Sequence, residues 1–174
     1  ICYGGYKYIP GRWTKVAKEI VNHYKLSNDS KILDIGCGKG YLLYEISKLL
    51  PNAEICGLDI SDYAIANSKK EIKKYLLKGN ANNLPFEDNY FDLVISINTL
   101  HCLHSFDLEK ALTEMERVGN FNKYLCVESF RNEEEKANLL YWQVTCEAFH
   151  NPDSWQWWFN LTGYSGDYSF IYFE

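Results

Sequence analysis

Apolar and polar positions alternate between two rhythms along this chain of 174 residues. Short β-prone runs bounded by turn residues read as strands, and stretches with apolar residues every three to four positions read as helices. The pattern predicts a helix over 12–24, strand 31–35, helix 41–50, strand 54–58, helix 62–75 and strand 75–79. It continues with strand 91–97, helix 107–118, strand 123–128, helices 133–149 and 152–161, and strand 168–173. Such alternation calls for right-handed crossovers and a mostly parallel sheet covered on both faces, an α/β three-layer fold. The cluster Ser27-Asn28-Asp29-Ser30 is a turn before the first strand. No internal repeat, low-complexity stretch or interdomain linker interrupts the chain, so one domain is expected over 1–174: an N-terminal lid and helix (1–25), a core (30–130) and C-terminal helices with the last strand (131–174).

The first strand runs straight into Asp34-Ile35-Gly36-Cys37-Gly38-Lys39-Gly40, and the helical repeat Tyr41-Leu42-Leu43-Tyr44-Glu45-Ile46 follows. A strand, a glycine turn and a helix start make the layout of a nucleotide-cofactor site, with free N–H donors at the helix start and backbone that a ligand can approach. The spacing is G-x-G-x-G, whereas dinucleotide sites use G-x-G-x-x-G to seat a pyrophosphate. Asp34 would repel a pyrophosphate and suits a cationic ligand. S-adenosylmethionine carries a sulfonium and an α-ammonium and no phosphate. The D-x-G-x-G-x-G loop resembles the first motif of class I S-adenosylmethionine-dependent methyltransferases; a glycine-rich turn without a ligand is the plain alternative for the loop alone.

Two further landmarks stand at suitable distances. Glu54-Ile55-Cys56-Gly57-Leu58 ends at Asp59, 19 residues after Gly40, close to the ~20-residue spacing at which a carboxylate meets ribose hydroxyls in βαβ nucleotide folds. Asp59 would accept from both hydroxyls and Ile60 would lie against the adenine; capping the next helix is the alternative duty of Asp59, although Ser61 and Asp62 can do that themselves. The stretch Gly79-Asn80-Ala81-Asn82-Asn83-Leu84-Pro85-Phe86 is similar to the G-D-A-x-x-L-P-F segment of the ubiquinone/menaquinone-type branch of that family. The resemblance implies a single-domain Rossmann-like fold, S-adenosylmethionine as cofactor, and contacts from positions 80 and 81 to the adenine edge. Asn80 replaces the usual Asp and loses its charge, but its carbonyl can still accept from the adenine amino group. Asp34, Gly36, Cys37, Gly38 and Gly40 are expected around the methionine part, with Asn98 just past the fourth strand.

The resemblance is good over about residues 30–130, with two departures. The usual lysine-proline-glycine-glycine turn before the fifth strand is replaced by Arg117-Val118-Gly119-Asn120-Phe121-Asn122-Lys123. The family's sheet ends with a sixth strand and an antiparallel seventh, but only Tyr168-Ser169-Phe170-Ile171-Tyr172-Phe173 is available, so either the antiparallel strand is absent or this strand takes its place.

In open parallel sheets the ligand lies beyond the carboxyl ends of the strands. His101 is therefore the leading candidate base and His104 the second, since a hydroxyl or ammonium acceptor must lose a proton and His titrates near the required range. A loop histidine satisfied by backbone is the alternative for each. Past strand five, Glu128 and Arg131 are candidate substrate contacts. Aromatics make up 16% of the chain, and Tyr6 and Trp13 near the start and Trp157 near the end are further candidates. Such rings suit a sugar, an aromatic metabolite or a cation.

Composition narrows the partners. A net charge of −5 without a long basic run argues against a nucleic-acid binder. Lys69, Lys70, Lys73 and Lys74 read as a solvated helix face. No apolar run reaches the ~20 residues of a membrane span, and the six scattered cysteines fit a reducing cytosol and suggest no metal. The chain opens on Ile1, so the native start is expected to precede it. The expectation is thus a cytoplasmic methyltransferase acting on a small molecule with an oxygen or nitrogen nucleophile, such as a sugar or other metabolite. Its rivals are another use of the same cofactor and a non-catalytic regulatory subunit. A homodimer is expected if the last strand leaves an aromatic sheet edge open.

Overall fold

A computed structural model describes residues 6–143 and 145–174. Six strands form one sheet: β1 (Lys31–Ile35), β2 (Glu54–Asp59), β3 (Leu76–Lys78), β4 (Phe91–Ile97), β5 (Gly119–Glu128) and β6 (Asp167–Ile171), in spatial order β3-β2-β1-β4-β5-β6. Every pairing is parallel. The helices are α1 (Thr14–His23), α2 (Tyr41–Leu49), α3 (Asp62–Ala66), α4 (Ser105–Val118), α5 (Glu133–Trp142) and α6 (Pro152–Thr162).

Successive strand residues point to opposite faces, and the core divides accordingly. Ile32, Ile55, Leu93 and Ile95 pack with Leu42, Leu43 and Ile46 of α2 and Ala17 and Ile20 of α1. Leu33, Ile35, Val94, Leu125 and Val127 pack on the other face with α4 and with Trp155, Trp158 and Phe159 of α6. The tryptophan-rich helix is thus mainly core, while Trp157 on its far side is 58% exposed.

Several helix ends are set by local chemistry. Asn132 and Asn151 cap α5 and α6 through side-chain oxygens that accept Glu135 N–H and Ser154 N–H. Gly163, at φ 71°, ends α6. The segment before α1 is tied to α2 by the buried Glu45, which accepts from Tyr8 Oη at 2.5 Å and Thr14 Oγ1 at 2.7 Å.

Three expectations are corrected. The helix expected over 62–75 stops at Ala66, and only a short 3-10 turn over Lys73–Tyr75 precedes β3. Four lysines within six positions repel one another when stacked on a helix. Lys69 leaves that face altogether and lies over the rings of Tyr8 and Tyr44, at 4.2 and 4.4 Å. The helix expected over 133–149 ends at Trp142, because the backbone beyond it is captured: Glu147 N–H and Ala148 N–H both donate to the His101 carbonyl, at 3.0 and 2.9 Å. Strand β5 begins at Gly119, four residues earlier than expected; without a proline the segment keeps its ladder donors and pairs with β4 across an irregularity between Phe91 and Leu93. The last strand pairs parallel to β5, with Glu128 opposite Ile171, so the sheet has no antiparallel member among the described residues.

Candidate active site

The loop after β1 is shaped by its glycines. Gly36 has φ 75°, and a Cβ there would stand 2.1 Å from Thr99 Oγ1. Gly40, at φ 68°, starts α2 and packs where a Cβ would meet Leu76 and Ile72. Gly36 N–H and Cys37 N–H both donate to the Leu58 carbonyl, at 2.7 and 3.1 Å, which pins the loop to the end of β2.

Above the carboxyl ends of β1, β4 and β5 lies a cavity of about 780 Å³, within the size range of small-molecule sites. Asp34, Gly36, Cys37, Gly38, Asn98, Glu128 and Trp13, all candidates from the sequence, line it. Its remaining wall was not foreseen: Arg12 and Val16 from the N-terminal side, Lys39 from the glycine loop, Trp142 and Gln143 at the end of α5, and the tail from Ile171 to Glu174. The aromatic run at the chain's end was the available signal for that tail.

Besides the cations of Arg12 and Lys39, the cavity is lined by acidic and amide side chains. Burial pushes the Asp34 carboxyl up to about 7, helped by the charge of Asp59. Asn98 holds φ 56°, and its Oδ1 is buried without a hydrogen-bond partner. Glu128 is 2% exposed; Gln143 Nε2 donates to its Oε1, while Oε2 has no hydrogen-bond partner. Burial raises the Glu128 carboxyl above its ordinary range. Cys37 is held as a thiol, chiefly by burial and then by the charges of Asp34 and Asp59. Three acceptors facing one cavity, two of them orphaned, fit a ligand that brings positive charge and N–H donors.

The ribose and adenine candidates form a separate rim outside the cavity lining. Asp59 ends β2 opposite Lys78, its Oδ2 accepts Gly38 N–H at 2.7 Å and its Oδ1 accepts Ser61 N–H at 2.8 Å. Ser61 Oγ caps α3 itself, through Ala64 N–H at 3.2 Å. A carboxylate has about four lone-pair directions, so Asp59 retains capacity for hydroxyls. Ile60 is 68% exposed beside it, Gly79 N–H donates to the Asp59 carbonyl, and the exposed Asn80 turns its Oδ1 to Asn82 N–H. Ala81 is buried in the core. The segment that follows is clamped by α4: Arg117 donates to the Leu84 and Phe86 carbonyls and Glu114 accepts Leu84 N–H.

Other candidates stand elsewhere. His101 is 1% exposed and does not line the cavity. Its Nδ1 accepts Glu128 N–H at 3.4 Å, leaving Nε2, 3.5 Å from Glu128 Oε2, as the protonated nitrogen. Burial lowers its pKa to about 4. It therefore sits behind Glu128, where the sequence had placed a base in contact with substrate. His104 is exposed at the start of α4, 3.4 Å from Glu147. Trp157 lines a different, open hollow with His150 and Asn151. Arg131 is taken up by Glu135 and Glu174 and stacks over Tyr172 at the cavity's edge. Tyr6 is exposed, and its carbonyl accepts from Lys39 Nζ at 2.7 Å.

Comparison with known proteins gives the same family from several directions. The methyltransferase domain family matches residues 26–163. The malonyl-[acyl-carrier protein] O-methyltransferase of Legionella pneumophila is 29% identical over 150 residues, which are 80% of this chain and 52% of that protein. The demethylmenaquinone methyltransferase of Symbiobacterium thermophilum is 29% identical over 128 residues, 68% of this chain and 50% of that protein. The chain thus spans about half the length of these curated relatives. In fold it is similar to the crystal structure of YcgJ from Bacillus subtilis, with a TM-score of 0.67, 19% identity, and 85% and 67% of the two chains covered.

Proposed function

Because this chain belongs to the S-adenosylmethionine-dependent methyltransferase family, we propose that it transfers a methyl group to a small-molecule acceptor bearing an oxygen or nitrogen nucleophile. The observation that carries the reading is the set of unpaired acceptors, Asn98 Oδ1 and Glu128 Oε2 together with Asp34, around one cavity at the sheet's carboxyl end. When bound, S-adenosylmethionine supplies a methyl group made electrophilic by the sulfonium.

The chain's own part is placement and exclusion of water. Asp34 and Asn98 would hold the methionine end, Asp59 the ribose, and Ile60, Asn80 and Ala81 the adenine. Lining side chains from Trp13, Trp142 and the tail after β6 dry the acceptor's side of the cavity. Glu128 is a buried ionisable group on that side of the cavity, and His101 and Gln143 fix its orientation. The segment before α1, tethered by Lys39 and Glu45, serves as the lid. The five described cysteines are free thiols and suit work in the cytosol.

Calorimetric titration with S-adenosylhomocysteine tests the site. Release of that product from S-adenosylmethionine, screened across sugars, quinone precursors and amines, tests the reaction. Binding without turnover on any acceptor would reduce the protein to a binding or regulatory subunit.

A further inference from the structure

We propose that Glu128, with the aromatic wall of Trp142, Tyr172 and Phe173, is a subsite for an organic ammonium, so that the methyl acceptor is an amine; this rests on the methyltransferase reading above. Glu128 is 2% exposed yet lines the cavity, and its Oε2 makes no hydrogen bond, with the neutral His101 Nε2 standing 3.5 Å away on the core side. A buried carboxylate oxygen left unpaired is costly, and a charged N–H donor relieves that cost most fully.

The rings are assembled around this carboxylate by the sheet itself. Ile171 stands opposite Glu128 in the β5–β6 register, which puts Tyr172 next to it in sequence at the same strand end. Gln143, whose amide holds Glu128 Oε1, is the chain neighbour of Trp142, and both line the cavity. Trp142 packs against Phe173 with ring centroids 5.8 Å apart, and Asn138 Nδ2 fixes the Phe173 carbonyl at 3.0 Å. Arg131 lies 4.3 Å over the Tyr172 ring, so this wall already carries one cation on a ring face. Aromatic faces around a buried carboxylate recognise a cation better than a neutral alcohol.

The cofactor's own ammonium is the other source of positive charge. Asp34 and Asn98 serve that end of the cavity, and Glu128 lies apart from Asp34: β4 stands between β1 and β5, a lateral gap of about 10 Å at ordinary strand spacing. Other basic groups nearby are already engaged: Lys39 is bonded to the Tyr6 carbonyl, Arg131 spans Glu135 and Glu174, and His101 is kept neutral by burial.

The test uses protein saturated with S-adenosylhomocysteine and titrated with phenethylammonium or with phenethyl alcohol, its neutral counterpart. The amine should bind at least about tenfold more tightly than the alcohol, and Glu128→Gln should erase that preference while homocysteine-cofactor affinity stays within about threefold. Trp142→Ala, at a side chain 55% exposed and so safe for the fold, should also weaken the amine selectively. Equal affinity for the two probes, silence of both included, overturns the proposal. So does an equal loss of cofactor affinity in Glu128→Gln, which would give Glu128 to the cofactor's ammonium. Wild-type protein that fails to bind S-adenosylhomocysteine would instead sink the methyltransferase reading.

Discussion

Replacing Asp34 by Asn should make the ligand-free protein more stable, and increasingly so as pH rises. Burial, and next the charge of Asp59, push the Asp34 carboxyl from an ordinary 3.8 to about 7. The folded state therefore binds the proton more tightly than the unfolded state, and the stability this brings at low pH is lost as pH rises from about 4 to about 7. The full difference is about 4 kcal/mol, of which about 2 kcal/mol is reached at pH 5 and nearly all at pH 8. His101 opposes this slope: its pKa, lowered to about 4 by burial, makes the folded protein gain stability as pH rises from about 4 to about 6.5. Both groups act in one window, so the wild-type curve alone is uninformative, and the difference between variant and wild type isolates Asp34. Urea denaturation at pH 5 and pH 8 should show the advantage of Asp34→Asn growing by about 2–3 kcal/mol. A cationic ligand seated on Asp34 should expel its proton, about 0.9 per site at pH 6 and about 0.5 at pH 7, read by calorimetry in buffers of different ionisation enthalpy. Parallel stability curves for the two proteins, or no difference in proton release, would refute the assignment of a buried, cation-binding carboxylate.

The other predictions follow from neighbouring groups. Removing His101 in His101→Phe should abolish up to about 3 kcal/mol of acid-induced stability loss between pH 6.5 and 4, visible in the same urea series; an unchanged acid limb would mean that the histidine is not buried neutral. Asp59→Ala should weaken S-adenosylhomocysteine binding by about 2–4 kcal/mol, since hydroxyl partners lose an ionised acceptor and Gly38 N–H loses its anchor; wild-type affinity by calorimetry removes Asp59 from the site. Gly36→Ala should cost about 2–4 kcal/mol through its left-handed backbone and its collision with Thr99, measured as a lower denaturation midpoint. Static light scattering at high micromolar concentration should give a dimer that covers the β6 edge, where Tyr168 is 44% exposed; a monomer mass would leave that edge to cover within the chain.

Local pattern alone determined the β1–loop–α2 unit, because a strand, three glycines and a helical repeat are each short-range features and agree with one another. It likewise determined the order of strands and helices and the placement of Asp59 at the end of β2, since parallel crossovers leave few topologies. Tertiary structure decided what the end of each strand faces. His101 and Glu128 lie 27 residues apart, and nothing in the sequence near either indicates that one is enclosed behind the other. The early end of α5 is likewise decided at a distance, by the His101 carbonyl capturing the backbone of Glu147 and Ala148. The aromatic wall beside Glu128 depended on the register of β6 against β5, which brings Tyr172 and Phe173 to the strand end that carries Glu128. Strand pairing is a long-range contact whose register comes from packing on both faces of the sheet, so a local reading of apolar spacing could name these residues as a strand but not say which residues they would stand beside.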